Sequence, residues 1–141
     1  MKTSTNTFTT FDIKEKLGLK IDRLKDWMQR GYIEPSIQKA EGMGTKNIFS
    51  LFDLYLIKLF HHLVSVRGIS RKNAGTIIRD IKKFMIQKQP PIFIGIPAAG
   101  EQAFGFNDFN QVKQFFGMDC IDIVIVNFSV IQEMVDDAIA Q

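Results

Sequence analysis

Polar and apolar positions follow one period before Pro90-Pro91 and another after them. Before the prolines the spacing is helical. Ile13 and Leu17 are four apart and share one face of a short helix over 11–17, which Thr9 or Thr10 caps and Gly18 ends. Thr9-x-x-Asp12 has the form of a capping box with Asp in place of Glu. Leu19 packs into the turn. Ile21, Leu24 and Met28 form the i, i+3, i+7 stripe of a half-buried second helix, closed by Gly31. Its other side carries Asp22, Arg23, Lys25, Asp26, Gln29 and Arg30, and Trp27 sits on the flank, mostly core with an exposed edge. Tyr32 to Pro35 turn the chain out. Segments 37–40 and 47–49 pair as short strands around a loop with Gly42 and Gly44, which allow positive φ at a hairpin tip. Ser50-x-x-Asp53 opens a third helix with Leu51, Leu54, Ile57 and Val64 on its stripe, running to Val66 before Arg67-Gly68. Ser70 caps a fourth, which buries Ala74, Ile77, Ile78, Ile81, Phe84 and Met85 and turns Arg71, Lys72, Arg79, Lys82 and Lys83 outward. Residues 1–8 are polar and Thr-rich, a frayed arm.

After Gln89-Pro90-Pro91, which no helix continues through, the period becomes that of strands. Segments 92–96 and 102–106 read as strands about a turn at 97–100. Asn107 caps a helix over 108–116 that Gly117 ends. Segment 121–126 is an apolar, largely buried strand, and Ser129 caps a last helix over 130–140. The order is ββαβα. So few residues seldom hold a core alone, so this module leans on the first part or pairs with a second copy.

Charge divides at the same place. Residues 1–88 hold 17 Lys+Arg against 8 Asp+Glu, or +9; residues 89–141 hold 1 against 7, or −6. A basic part attracts polyanions, and two unlike halves point to two modules with different partners. Among 141 residues, Cys120 is the only cysteine, which excludes an internal disulfide framework and a multi-thiolate metal site. His61 and His62 are adjacent on a helix, about 100° apart, and cannot chelate one ion together. No apolar run reaches transmembrane length, and the N-terminus lacks the apolar stretch of a secretion signal. The glycine-rich loop at 41–46 follows no apolar strand and is not a Walker motif. No nucleophile–base pair, paired carboxylates or metal cluster stands out, so no catalytic residue, metal or cofactor is expected.

Helix, glycine turn, helix and hairpin are the layout of a winged helix-turn-helix, in which the second helix enters a major groove. The expected fold is α+β: an N-terminal four-helix winged helix-turn-helix over 8–88 and the small ββαβα module over 89–141. Lys39 and Lys46 place positive charge on the wing, where a phosphate or minor groove meets it.

Residues 8 to about 84 also resemble the DNA-binding domain of regulators of the mercury-resistance (MerR) type. The turn Leu17-Gly18-Leu19 fits that pattern, as do Leu24, Lys25, Trp27, Gly31, Ile33 and Pro35 of the next helix and its exit. Gly42, Gly44, Lys46, Phe49, Ser50, Asp53 and Leu54 fit the wing and the helix after it, and Gly68-Ile69-Ser70 fits the following break. The resemblance implies a cytoplasmic regulator of transcription that binds double-stranded operator DNA as a homodimer, with RNA polymerase a further candidate partner and no membrane association. It implies DNA contacts from Arg23 and Lys25 on the recognition helix and Lys46 on the wing. The full set read as DNA-binding is Lys20, Asp22, Arg23, Lys25, Asp26, Gln29, Lys39 and Lys46. Asp22 and Asp26 depart from the family's neutral or aromatic choices and can accept from a cytosine amino group. Lys14 and Lys20 stand where a small residue and a capping Ser are usual. The larger departure is that no coiled coil follows the fourth helix, so dimerisation falls to the tail.

Two other readings stay open: an architectural, excisionase-like factor that bends DNA, and a protein-interaction module that reuses the winged helix. A third is a small-molecule sensor among the phenylalanines of the tail (Phe93, Phe104, Phe106, Phe109, Phe115, Phe116), although such spacing is more often core.

Overall fold

A computed structural model describes residues 7–87, 90–97, 102–119 and 122–141. Among them the chain is mixed α+β, with six helices and two small sheets. Cys120, the Met85 side chain, and most of the turn expected at 97–100 lie outside the described residues.

The first surprise is the arm. Thr7–Phe8 (β1) does not fray but pairs antiparallel with Phe49–Ser50 (β2), Phe8 opposite Phe49. Phe49 is fully buried, and Phe8 packs on the same core. That apolar contact holds two residues which polar composition alone assigns to solvent. Thr9 then caps α1 (Thr10–Leu17) with a complete capping box: its Oγ accepts from the Asp12 N–H at 3.2 Å, and its own N–H donates to Asp12 at 2.9 Å. Gly18 follows at φ 70°, the left-handed conformation that closes the helix cheaply only for glycine. α2 (Ile21–Gln29) runs to a C-cap at Arg30, with Gly31 at φ 79° beyond it.

Between α2 and β2 the expected hairpin forms with less strand than its pattern suggests. Its ladder is a single antiparallel bridge, Gln38 with Ile48. Beyond it, side chains replace the ladder: the Ala40 N–H donates to Asn47 Oδ1, the Glu41 N–H to Thr45 Oγ1, and Gln38 Nε2 to the Lys46 carbonyl. Asn and Thr compete in this way with regular strand pairing. Phe49, expected to extend this ladder, is engaged with Phe8 instead.

α3 (Leu51–His61) opens on the Ser50–Asp53 capping box and ends in a π-helical turn, His62–Val66. α4 (Arg71–Gln87) starts where Ser70 Oγ accepts from the Asn73 N–H. Ala74, Ile77, Ile78 and Ile81 are buried as their spacing requires, but Phe84 is 37% exposed. By that point α4 has left the helical core, and its neighbour is the edge strand β4 (Phe104–Phe106).

The second sheet is antiparallel in the order β4-β3-β5, with β3 at Phe93–Pro97 and β5 at Ile123–Asn127. β5 is an edge strand, so only Val126 of it is buried, short of the burial its apolar run implies. α5 (Phe109–Asp119) continues through Gly117. α6 (Phe128–Ala140) starts earlier than expected because Asn127, not Ser129, caps it; Asn127 Oδ1 accepts from the Val130 N–H and from Ser129 Oγ.

α6 packs against α3 and α1. Its buried Phe128, Ile131 and Val135 belong to one apolar cluster with Ile13, Trp27, Leu59 and Phe60. Tyr55 Oη on α3 donates to Asp136 on α6 at 2.7 Å, and Lys16 on α1 donates to the backbone carbonyl of Gln141.

Candidate nucleic-acid interface

Leu24 and Trp27 fix how α2 is rotated, since both are buried and Met28 packs beside them. Trp27 is only 2% exposed and stands edge-on to Phe60 at 4.7 Å, so it is a core residue without the free edge expected of it. With the helix anchored this way, at about 100° per residue, Asp22, Asp26 and Gln29 project away from the core. Lys25 and Arg23 fall on opposite flanks, about 160° apart.

The Lys25 flank faces the hairpin. Lys25, Met28 and Gln29 line one wall of an open groove of about 620 Å³, and Lys39, Ala40 and Asn47 line the other. Gly31, Ile33, Glu34 and Pro35 make its floor, where the chain leaves α2, so one exposed carboxylate lies among the lysines. The fold therefore brings together Lys25, Gln29 and Lys39 out of the eight residues read from the sequence. Lys46 lies on the opposite side of the hairpin, in a smaller hollow with Thr9, Thr10 and Phe11. Met43 sits fully exposed at the tip between Gly42 and Gly44, both at positive φ.

Lys20 is the N-cap of α2 and gives it no side-chain cap. The first-turn N–H groups therefore stay directed outward beside a lysine, an arrangement that favours an anion. Asp22 is exposed in that first turn. Asp26 is engaged by Arg30, whose Nε donates to Oδ1 at 3.0 Å.

The Arg23 flank faces α3. The Arg23 guanidinium lies 5.6 Å from the centre of the Trp27 ring, and the His61 ring lies 6.3 Å from Trp27 on the same side. Burial, then the positive charges of Arg23, Lys58 and His62, hold His61 below the usual imidazole pKa. His62 is lowered too, by burial and then by Arg67 and Lys58. No carboxylate pairs with Arg23, Lys58 or Arg67 among the described residues. Sequence reading takes His61 and His62 as surface or core-edge residues and leaves Lys58 and Arg67 out of the site. The available signal is the i, i+3, i+4 spacing of Lys58, His61 and His62, which brings one lysine and two imidazoles together where α3 runs into the π-helical turn.

Asp53 positions both halves. It is the buried charged residue of the described core, and its Oδ2 accepts from the Ser36 N–H, Ser36 Oγ and the Ser50 N–H. These bonds tie the segment leaving α2 to the start of α3. Among the described residues no cluster of three or more His, Cys, Asp or Glu side chains is placed to hold a metal, and no helix is long and apolar enough to cross a membrane. No family model matches the chain, and no curated protein matches it.

Proposed function

We propose that this chain is a sequence-specific DNA-binding regulator of transcription of MerR-like type, with α1, α2 and the hairpin acting as a winged helix-turn-helix. The observation that carries the reading is the groove in which Lys25 and Gln29 of α2 converge with Lys39 of the hairpin. Lys25 and Lys39 neutralise phosphates, Gln29 offers a bidentate amide to a base edge, and Asp22 accepts from a cytosine amino group. The uncapped N-terminus of α2 beside Lys20 adds attraction for a phosphate. Lys46, on the far side of the hairpin, meets the backbone there. Regulation then acts on RNA polymerase at the bound promoter, in the cytoplasm. A second copy doubles the contact. The outer edge of β5 has no partner strand among the described residues, and antiparallel pairing of two such edges is a two-fold contact.

The test is fluorescence anisotropy with the full chain, on random duplex and on the DNA upstream of its own gene, over a range of salt. The full chain is needed because α6 covers part of α1 and α3. The reading expects a preference for the upstream DNA and a log affinity that falls by about 0.9 per neutralised phosphate for each tenfold rise in salt. Absence of binding at low salt overturns the reading, and equal binding to both duplexes removes the sequence-specific part of it.

One observation favours the DNA-bending reading as the alternative. Met43 is a fully exposed apolar side chain at the hairpin tip, and methionine is among the wedges that unstack a base step from the minor groove. A bend seen by end-to-end fluorescence transfer and lost in Met43→Ser would select it.

A further inference from the structure

A helix seated in a major groove has walls on both sides. The groove is about 12 Å wide and a helix with its side chains about 10–12 Å across, so both flanks come close to phosphates, one strand on each side. The Lys25 flank with Lys39 serves one wall. On the other flank lie Arg23 over the Trp27 face and His61 beside the same ring, with Lys58 of α3 and His62 at the start of the π-helical turn near enough to act on His61. Arg67 follows at the end of the π-helical turn, near enough for its charge to act on His62. Resting on the DNA-binding reading above, we propose that this ridge is a second phosphodiester-binding surface, which takes the DNA strand across the groove from Lys25, and that binding there takes up a proton at His61.

Arg23 and Arg67 are exposed, Lys58, His61 and His62 are half-buried, and no described carboxylate pairs with the three permanent cations. Such a row repels itself until an anion arrives. That repulsion, added to burial, is why both imidazoles resist protonation in the free protein. The charges acting on them come from α2 (Arg23), α3 (Lys58 and the neighbouring histidine) and the end of the π-helical turn (Arg67). None comes from α4 or α6, which also pack against α3. A phosphodiester set on the ridge reverses the local sign and favours the imidazolium. The bound state then holds its proton more tightly than the free state, so affinity rises as pH falls. His61 and His62 are the only histidines in the sequence, and imidazole is the side chain that ordinarily changes charge between about pH 5 and 8, so a proton taken up on binding in that range is assigned to this ridge.

The experiment is anisotropy of the full chain with a labelled duplex, at about pH 6 and about pH 7.5 and constant ionic strength. Binding is expected to be several-fold, up to about tenfold, tighter at the lower pH. His61→Gln should abolish that difference, whereas Lys25→Ala should weaken binding at both values and keep it. Should His61→Gln fail to fold, the imidazole resonances of the wild type, titrated with and without duplex, give the same answer: the His61 midpoint must move up when DNA is present. Binding of equal strength at both pH values overturns the inference and leaves the DNA-binding reading standing, as does a pH dependence that survives in His61→Gln. No binding at low salt at either pH overturns both.

Discussion

Ser36 donates to Asp53 twice, from its backbone N–H at 2.8 Å and from its Oγ at 2.7 Å. The same carboxylate oxygen takes the Ser50 N–H at 2.9 Å, while the Asp53 N–H returns a bond to Ser50 Oγ. One buried charge therefore joins the segment that leaves α2 to the cap that starts α3. Hydrogen bonds to a charged group are worth about 1.5–3 kcal/mol, and truncating the acceptor leaves its donors unpaired. Asp53→Ala should lose about that much stability in urea unfolding, and Ser36→Ala about 1 kcal/mol. A loss below about 0.5 kcal/mol for Asp53→Ala, the range of ordinary surface changes, would show that water replaces the network.

Gly75 and Tyr32 make a second, apolar tie between the same segment and the helical core. A Cβ on Gly75 would stand 2.7 Å from Tyr32 Cδ1 and 3.4 Å from Cε1. The Tyr32 ring is stacked on Phe60 at 5.5 Å and has little room to retreat. On helix propensity alone Gly75→Ala gains about 1 kcal/mol. Overpacking costs about 1–3 kcal/mol, so the net change should be destabilising and read as a lower melting temperature. A rise in melting temperature would mean the ring swings aside freely.

These two ties mark where sequence reading ends. Capping pairs are local, so Thr9 with Asp12 and Ser50 with Asp53 are legible from spacing three apart, as are the glycines at 18, 31 and 68 that end helices. The stripe Leu24–Met28 likewise sets which side of α2 faces out. What spacing cannot carry is the partner across space. Ser36 reaches Asp53 over 17 residues, and Phe8 meets Phe49, a pairing no short window contains. Arg23 and Lys25 look equivalent as letters two apart, yet they serve different surfaces, because helical rotation separates neighbours that composition groups together. Asn127 caps the last helix in place of Ser129 because the apolar Phe128, buried in the core, draws the helix start back by two residues.

Tyr55 and Asp136 link α3 to α6 at 2.7 Å. Burial first, then the bond to Asp136 and its charge, raise the Tyr55 pKa well above the ordinary phenol value. The folded state therefore keeps the Tyr55 proton more tightly than the unfolded chain does. The contribution is fully present below about pH 10 and is lost as pH rises from there towards the folded-state value. Tyr55→Phe should cost about 0.5–1.5 kcal/mol at neutral pH. Melting both proteins from pH 8 upward should show the wild-type advantage shrinking above about pH 10. An advantage constant with pH, or none at neutral pH, would remove this bond from the contact between α3 and α6.

The two flanks of α2 predict different failures on DNA. Lys25 lines the groove with Gln29 and Lys39, close to where base edges would lie. Gln29→Ala should cost about 1–3 kcal/mol on the preferred site and much less on random duplex, while Lys25→Ala, which removes a phosphate contact, should weaken both alike. Arg23 lies across the Trp27 face towards His61, on the side where a docked duplex would place a phosphate wall, and Lys46 lies beyond the hairpin. Arg23→Ala and Lys46→Ala should therefore weaken preferred and random duplexes alike and lower the salt slope by about 1 each. Asp26 is bonded to Arg30, so Asp26→Asn frees the Arg30 charge and should raise affinity for all sequences; lost discrimination instead would show Asp26 reading a cytosine despite that bond. Unchanged affinity in the Arg23, Lys25 and Lys46 variants together would rule out α2 and the hairpin as the docking surface.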